Sequence, residues 1–387
     1  MSSVCFFSIP AHGHVNPTLP VVRELVRRGH SVRYYEVEPF REKIEAAGAS
    51  FVDVGAYMPP APEDIDRIAG RDFAALIGMV TDTTLALDAR IAQDVAAGRP
   101  DVIVSDSVCF WGKLLAGKHG IPFVCSTTTM AFNRQTAAYM KRGPGEIVRM
   151  ILGMPRINRK MALLRANGYD VPDVVSVIQN DSDTDTLVYT SRRFQPLADT
   201  FGDRYAFVGP TAARVEPQPG SGRPRVYVSL GTVLHDNLPF YRACVQALRG
   251  LDAVLSVGGK VDIAALGALP EGMRVFRRVN QMQTLAASDV FITHCGMNSV
   301  QESLLCGVPM VLCPQHSEEG AVAARVQELG AGVRLKRASA GAIRAAVDEV
   351  MGNPSYRAAA QRMREDFLAC GGETQAADFI ERIAARG

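Results

Sequence analysis

The chain lacks several features that would place it in a specialised class of protein. None of its apolar runs reaches the roughly 18 residues that a membrane-spanning helix needs, so no transmembrane segment is predicted. Its 42 lysines and arginines nearly balance 40 aspartates and glutamates, and a net charge of +2 gives no reason to expect nucleic-acid binding. The segment Met1–His14 lacks the basic start and the apolar length of a secretory signal. These absences favour a globular cytoplasmic protein.

Two motifs that would indicate other chemistry are also missing. The chain has eight cysteines, but none forms a C-x-x-C pair and most lie in apolar runs. They are therefore predicted to be buried, reduced thiols rather than disulfides or metal ligands. No G-x-G-x-x-G follows the first predicted strand, which disfavours a plain NAD-dependent oxidoreductase.

What the chain does have is the length and the pattern of a two-domain α/β protein. Its 387 residues exceed the comfortable size of one hydrophobic core. Apolar runs such as Val4–Ile9 and Ser31–Val37 alternate with helix-like runs, which is typical of parallel sheets covered by helices. Further strands are predicted at 102–104, 123–125, 187–189, 226–229, 253–257, 290–293 and 310–312.

The predicted domain boundary is a segment at 209–225 that is rich in Pro, Gly and Ser and has no apolar period. This linker separates a first domain, residues 1–208, from a second domain, residues 226–365. Residues 366–387 are predicted to form a C-terminal helix that packs back on the first domain.

The most informative segment runs from Asp289 to Glu319 and reads DVFITHCGMNSVQESLLCGVPMVLCPQHSEE. It predicts an apolar strand, a tight polar turn at 294–299, a helix, and a second apolar strand that ends in a polar loop. The start of a helix presents unpaired N–H groups and a partial positive charge, which suit a phosphate. Glu302 is predicted about one turn into that helix, where its carboxylate can accept hydrogen bonds from sugar hydroxyls.

The loop after the first strand carries two histidines, His12 and His14, either of which could take up a proton near neutral pH. A metal half-site and an incidental pair on a capping loop are the alternatives, although no other cluster with ligand spacing supports a metal. Asn16, followed by a proline, is predicted to cap the next helix. Asp106, after the predicted strand at 102–104, could orient a histidine or could simply be a turn residue.

Together these segments resemble the family 1 glycosyltransferases, in the bacterial macrolide and flavonoid branch. PAHGHVNP near the start and HCGMNSVQE with PQHSEE near the end carry the resemblance, which covers nearly the whole chain. The resemblance implies a GT-B fold, in which two facing Rossmann-like domains with parallel sheets form an interdomain cleft. It also implies metal-independent transfer with inversion, from a UDP- or dTDP-linked sugar as substrate and without a further cofactor.

The resemblance assigns roles to individual positions. His14, rather than His12, matches the general base, and Asp106 matches the carboxylate that holds it. Glu302 matches the residue that binds the ribose hydroxyls. Positions that match contacts to the diphosphate are Ser229, Gly231, Thr232, His294, Gly296, Asn298 and Ser299. Positions where the family holds the base are Arg278, Val279 and Gln281.

The chain departs from the family pattern at Glu318 and Glu319, where Asp-Gln or Glu-Gln usually holds the donor sugar. A second carboxylate accepts but does not donate hydrogen bonds when ionised. Two interpretations stay open: a sugar with a different hydroxyl geometry or an amino group, or an ordinary hexose whose hydroxyls Glu319 accepts from. Arg278 and Asn280 also depart from the Trp and Pro of plant relatives.

Two further segments carry hypotheses. A D-x-D at 181–183 resembles a metal-binding motif of the other large glycosyltransferase fold but has no partner motif, so a solvated loop is favoured. The stretch 130–165 is rich in Met and basic residues against a single acid, Glu146. It could form an adaptable acceptor surface, a face that contacts anionic lipid, or an ordinary surface helix, which is the favoured interpretation.

The sequence therefore predicts a transferase that moves a hexose-type sugar to a hydroxyl of a small apolar acceptor, such as a macrolide, polyketide or flavonoid. We expect a monomer or homodimer without nucleic-acid or integral membrane contact. The alternatives are transfer to a lipid-linked acceptor at a membrane surface, nucleotide-sugar epimerisation, and a non-catalytic nucleotide-sugar-binding partner protein. The last two are disfavoured because neither needs His14 together with Asp106.

Overall fold

In the computed structural model the chain forms two compact units, each built on its own parallel sheet. The structure describes residues 1–58, 72–133, 135–136, 144–174, 177, 184–218, 223–231, 237–315 and 317–386. The first unit consists of Met1–Thr190, Leu197–Thr211 and Gly371–Gly387, and the second of Ser191–Pro196 and Ala212–Cys370. The predicted α/β architecture with parallel sheets is confirmed.

Most elements appear where the apolar runs predicted them, with ends shifted by one or two residues. The strands are β1 Ser3–Phe7, β2 Ser31–Glu36, β3 Ser50–Asp53, β4 Val102–Asp106, β5 Phe123–Thr127, β6 Thr186–Val188, β7 Tyr205–Phe207, β8 Arg225–Ser229, β9 Asp252–Ser256, β10 Met273–Phe276, β11 Val290–Thr293, β12 Met310–Leu312 and β13 Gly332–Arg334. The α-helices of the described residues are α1 His12–Val15, α2 Leu19–Arg27, α3 Arg41–Ala46, α4 Phe73–Ala97, α5 Phe110–His119, α6 Pro144–Ala166, α7 Leu238–Ala247, α8 Gln281–Ala286, α9 Met297–Leu305, α10 Ser317–Glu328, α11 Ala340–Gly352, α12 Pro354–Leu368 and α13 Gly372–Ala384.

Both sheets have the same kind of strand order. The sheet of the first unit runs β3-β2-β1-β4-β5-β6-β7, and that of the second runs β10-β9-β8-β11-β12-β13. In each sheet the first strand of the unit, β1 or β8, lies between its second and its fourth strand, so the order reverses there. In the first sheet the helix after β1 and the helix after β4 pack on opposite faces, because α2 lies in one buried cluster and α5 in the other. Such a reversal opens a crevice at the carboxyl ends of the strands.

The strands of the first sheet are apolar at consecutive positions because both faces are buried. Phe6 stacks on Tyr34 on one face and Phe7 stacks on Tyr35 on the other, with ring centroids 5.5 and 4.5 Å apart. The first pair belongs to the cluster that includes α2 and α13, and the second to the cluster that includes α4 and α5. Near-continuous apolar strands of this kind are typical of parallel sheets.

The first helical segment begins earlier than the sequence predicts. Because α1 starts at His12, Asn16 lies in a 3-10 turn, Asn16–Thr18, and the prediction that it caps a helix is wrong. Pro17 lacks the N–H that a continuous α-helix requires, which explains the tighter turn between α1 and α2. Gly29 ends α2 in the left-handed region, at φ +89°.

The units differ from the predicted domains at two places. Ser191–Pro196 belongs to the second unit, where the Arg325 guanidinium donates to the carbonyls of Arg193 and Phe194 at 2.6 and 2.9 Å. The predicted start of the last helix at 366 falls inside α12, which ends at Leu368. The last helix, α13, begins only at Gly372. Within the described part of the predicted linker, no helix or strand occurs before β8.

Helix α13 packs within the first unit although it ends the chain. Its Ile380 lies in the same buried cluster as Leu25 of α2. At the rim of this contact, the Arg28 guanidinium donates to Asp378 at 2.6 Å and to Glu381 at 2.8 Å. The first unit is therefore completed by residues that follow the whole of the second unit.

The methionine-rich stretch contributes α6, which has two different faces. Met154, Ile157 and Met161 pack into a cluster with α4, whereas Ile151 and Leu152 are 62% and 73% exposed. No helix within the described ranges is long and apolar enough to cross a membrane. Parts of the stretch and the D-x-D lie outside the described residues: Arg134, Met140, Lys141, Arg142 and 181–183.

Candidate active site

Each sheet carries polar residues at its carboxyl edge, beside the strand where the order reverses. In the first unit β1 leads into the helix that carries His14, and β4 ends at Asp106. In the second unit β8 ends at Ser229, and β11 leads into His294. Ligands of open parallel sheets bind at this position. The edge of the first sheet with His14 and Asp106 is called the first half-site, and the edge of the second sheet with Ser229 and His294 the second half-site.

The first half-site is built around a histidine–carboxylate pair. His14 Nδ1 lies 2.8 Å from Asp106 Oδ2, and the His14 and Asp106 side chains are 19% and 1% exposed. Asp106 also accepts the Val108 N–H through Oδ1 at 2.9 Å, so the turn after β4 fixes its orientation. Because Nδ1 faces the carboxylate, Nε2 points to the opposite side of the ring, where Nε2 can accept a proton. The sequence thus predicted a pair that the fold brings together from residues 92 positions apart.

His12 has a different environment from His14. Its ring packs edge-on against Phe40, with the ring centroids 5.0 Å apart and the planes at 60°. Among the described residues, no group of three or more His, Cys, Asp and Glu side chains is placed to hold a metal ion. The alternative of His12 and His14 as a metal half-site gains no support from this arrangement.

Thr128 belongs to the first half-site but was not predicted from the sequence. It follows β5, the strand that pairs with β4, and its hydroxyl lies 3.1 Å from His14 Nδ1 and 3.4 Å from Asp106 Oδ2. The available signal was a polar residue directly after a predicted strand. Using that signal requires knowing that this strand lies beside the one that ends at Asp106.

Glu36 is a second residue that the sequence analysis missed. Phe7 pairs with Tyr35 of β2 and with Ser105 of β4, so the residues that follow them, Ser8, Glu36 and Asp106, lie at the carboxyl edge. Glu36 is fully buried; its Oε2 accepts the Val37 N–H at 2.6 Å, and its Oε1 has no hydrogen-bond partner. Burial raises the pKa of this carboxyl to about 8. At neutral pH most of the protein therefore carries Glu36 as the neutral acid.

The raised pKa of Glu36 predicts a pH-dependent loss of stability. The folded protein holds this proton more tightly than the unfolded chain does, so the stabilising effect is complete below the ordinary value of 4.5 and is lost as pH rises to about 8. Relative to the wild type, Glu36→Gln should gain about 4 kcal/mol in the free energy of unfolding between pH 5 and pH 9. Urea unfolding across that range measures the difference, with exposed Glu42→Gln as the control. A constant difference at all pH values would contradict the prediction.

The second half-site begins with His294, whose ring lies against two glycines. A Cβ atom at Gly231 would lie 2.5 Å from His294 Cε1, and one at Gly296 would lie 2.5 Å from His294 Nε2. Real Cβ contacts are not this short, so the observed position of the imidazole requires glycine at both places. Gly231 also has φ +77°, which favours glycine. The loop after β8 and the loop after β11 are thus fitted to each other through the imidazole of His294.

The turn from β11 into α9 is sharp and leaves the start of the helix open. Cys295 adopts φ +72° in the left-handed region, and its N–H donates to Thr293 Oγ1 at 3.1 Å. Gly296 then occupies the N-cap position and has no side chain to cap the helix. Asn298 and Ser299 lie in the first turn of α9. This arrangement presents N–H groups at a helix start, which suits a phosphate.

Glu302 is held by a side-chain network that reaches back to β8. Gln281 Nε2 donates to Glu302 Oε2 at 2.6 Å and to Ser299 Oγ at 3.1 Å, and the Tyr227 hydroxyl donates to Gln281 Oε1 at 3.0 Å. Burial raises the pKa of Glu302, and the hydrogen bond from Gln281 opposes that rise. Tyr227 was not predicted as a site residue. The network explains why a glutamine stands at 281: its amide can serve a donor and an acceptor at once.

The residues matched to the base lie in the loop between β10 and α8. Arg278 is exposed and Val279 is half-buried. Asn280 caps α8, because its side chain accepts the Gln283 N–H at 3.2 Å. This cap sets Gln281 at the first position of the helix, from which it contacts Glu302.

The departure from the family pattern lies in the first turn of α10, which contains Glu318 and Glu319. Glu319 Oε2 accepts the Gln315 N–H at 2.7 Å, and the Gln315 amide donates to the Cys313 carbonyl at 2.8 Å. Glu319 therefore shapes the loop that leads into α10. Of the other predicted contacts, the Ser229 hydroxyl accepts the Gly231 N–H at 3.3 Å, and Thr232 lies outside the described residues.

Known proteins resemble the chain over almost its whole length. It is 34% identical over 400 residues to the demethyllactenocin mycarosyltransferase of Streptomyces fradiae, covering 99% of this chain and 87% of that protein. It is 32% identical over 401 residues to the NDP-glycosyltransferase YjiC of Bacillus licheniformis, covering 99% and 98%. The solved structure of the glycotransferase of kitacinnamycin matches with a TM-score of 0.86 at 29% identity, covering 99% and 98%.

A family model points the same way. The model for the C-terminal domain of proteins like erythromycin biosynthesis protein CIII matches residues 245–382, most of which lie in the second unit. The relatives extend this match through the first unit, where the His14 and Asp106 side chains meet. The chain therefore belongs to the family 1 glycosyltransferases of the GT-B fold and is a sugar-transferring enzyme of the macrolide and NDP-sugar type.

Proposed function

We propose that the protein is an inverting, metal-independent glycosyltransferase that uses a UDP- or dTDP-linked hexose and a hydroxyl of a small apolar acceptor. The observation that carries this proposal is the 2.8 Å contact between His14 Nδ1 and Asp106 Oδ2. A nucleotide-sugar binder has no need for an oriented imidazole at the edge of a separate sheet. A transferase needs a group that removes a proton from the attacking hydroxyl.

In the proposed reaction His14 acts on the acceptor. Nε2 takes the proton of the acceptor hydroxyl while the oxygen attacks the anomeric carbon from the side opposite the leaving group, which inverts the configuration. The resulting imidazolium is stabilised by the Asp106 carboxylate, which accepts the Nδ1–H. Contacts with Val108 N–H, the Thr128 hydroxyl and His14 Nδ1 hold this carboxylate in place.

The second half-site holds the donor in the proposed reaction. The N–H groups at the start of α9 and the imidazole of His294 bind the diphosphate, whose negative charge increases as the bond to the sugar breaks. Glu302 accepts hydrogen bonds from the ribose, in the position that Gln281 maintains. These groups supply the stabilisation of the leaving group that a metal ion supplies in other transferases.

The donor sugar and the acceptor class are the most specific parts of the proposal. An amide oxygen and a carboxylate oxygen can both accept the Gln315 N–H, so the contact that Glu319 makes there is compatible with an ordinary hexose as the donor sugar. A relative named as a demethyllactenocin mycarosyltransferase supports an acceptor of natural-product type. No observation favours a lipid-linked acceptor, an epimerase or a non-catalytic partner over this reading.

A transfer assay in the absence of metal tests the proposal. The enzyme is incubated in EDTA with UDP- and dTDP-linked hexoses and pooled macrolide and flavonoid aglycones, and products are identified by mass spectrometry. We expect a glycosylated product with inverted configuration at the anomeric carbon, and equal rates in EDTA and in added Mg²⁺. A rate that EDTA abolishes and metal restores would reject the metal-independent mechanism, and a retained configuration would reject inversion.

A further inference from the structure

Thr128 makes two contacts with the histidine–carboxylate pair. Its hydroxyl lies 3.1 Å from His14 Nδ1 and 3.4 Å from Asp106 Oδ2. The residue is 2% exposed, so solvent does not replace this hydroxyl. Its backbone is held by the sheet, because the preceding Thr127 carbonyl accepts the Tyr189 N–H at 3.1 Å and extends the contact of β5 with β6.

The three side chains allow one consistent placement of protons. An ionised Asp106 can only accept, so the 2.8 Å contact requires a hydrogen on His14 Nδ1. The single hydroxyl hydrogen of Thr128 then points to Asp106 Oδ2, and its oxygen faces the Nδ1–H as a second acceptor. If Nδ1 carried no hydrogen, its lone pair would face the carboxylate, and Thr128 could serve only one of the two groups. The arrangement therefore leaves the lone pair of His14 on Nε2.

We propose that Thr128 is a positioning residue that, by bridging His14 Nδ1 and Asp106 Oδ2, holds the imidazole in the tautomer and orientation that proton removal requires. The proposal rests on the proposed role of His14 as the base. Thr128 acts through the pair and does not touch the reacting atoms. It should therefore change the rate of the chemical step and leave the binding of both substrates unaltered.

Kinetics of two variants test this role. Thr128→Val keeps the volume of the side chain and removes the hydroxyl, whereas Thr128→Ser keeps the hydroxyl. We expect kcat of Thr128→Val to fall about tenfold, with the KM values for donor and acceptor within about twofold of the wild type, and Thr128→Ser to restore most of the rate. Thr127→Val, a change of the same kind one residue earlier, controls for the loss of a buried hydroxyl. A fall in Thr128→Val that appears only in KM would overturn the proposal.

A double-mutant cycle separates this role from a direct contact with a substrate. In the Asp106→Asn background the bridge no longer joins the imidazole to a carboxylate, so adding Thr128→Val should have little further effect on kcat. If Thr128 instead contacts the sugar or the acceptor, its effect will persist in that background. An additive cycle would therefore overturn the proposal even if each single variant is slow.

A measurement without substrates keeps the test independent of the proposed function. In protein with ¹⁵N-labelled histidine, the Nδ1–H proton of His14 is identified by its loss in His14→Gln. We expect this proton to be visible in the wild type and in Thr128→Ser, and to move or broaden in Thr128→Val as one acceptor is lost. An unchanged resonance in Thr128→Val would overturn the bridge. If the resonance changes as expected but no variant transfers sugar, then the proposed function fails and the bridge stands.

Discussion

Replacing His14 with alanine should lower kcat for sugar transfer by about 10³-fold or more, because the imidazole that Asp106 orients is the group proposed to take the acceptor proton. Binding of the nucleotide should remain, since the diphosphate and ribose contacts are proposed to lie in the second unit. Transfer is measured by product formation at saturating substrate, and nucleotide binding is measured by calorimetry with UDP and dTDP.

His12→Ala is the matched control for this experiment. His12 lies two residues away on the same short helix, but its ring packs against Phe40. This variant should keep at least about a fifth of the wild-type rate, because an edge-on contact between two rings is worth about 1 kcal/mol. If His14→Ala turns over like the wild type, or if His12→Ala is the inactive variant, then His14 is not the base.

The sequence was sufficient to predict the parallel sheets and the ends of the strands at which the site lies. Buried parallel strands are apolar at every position, so runs such as 290–293 and 310–312 stand out without any knowledge of the fold. Polar residues directly after these runs then fall at the carboxyl edge. His294 and Asp106 could be predicted as site residues in this way, and so could Gly231 and Gly296. The sequence did not show that these glycines make room for the imidazole of His294.

What the sequence could not provide were contacts that depend on which strands are neighbours. Thr128 follows one of several strands, and only the order of β4 beside β5 brings it to Asp106. Glu36 ends a strand whose side chains alternate between two buried faces, so its burial depends on the packing of helices on that face. Asn16 was misjudged for a local reason: a proline after it fits a 3-10 turn as well as a helix start.

The second prediction with a large effect concerns Gly231, which serves both the backbone and the packing of His294. Alanine at this position must adopt φ +77°, which costs about 1 kcal/mol, and its Cβ would lie 2.5 Å from His294 Cε1. The imidazole can escape only by rotating away from the place where it is proposed to bind the diphosphate. We expect the affinity of Gly231→Ala for UDP or dTDP to fall about 10²-fold, equivalent to roughly 2.7 kcal/mol.

Gly250→Ala separates backbone strain from the contact with His294. Gly250 has φ +81°, and a Cβ built there meets no atom within 4 Å. Both alanine variants should lose about 1 kcal/mol in the free energy of unfolding, but Gly250→Ala should bind nucleotide like the wild type. Equal nucleotide affinities for the two variants would show that the position of His294 does not matter for the donor.

In a His294→Ala background the clash disappears, so Gly231→Ala should then cause no further loss of affinity. A loss that persists in that background would assign the effect to the loop after β8 itself, and the fit between the two loops would no longer explain why glycine is required at 231.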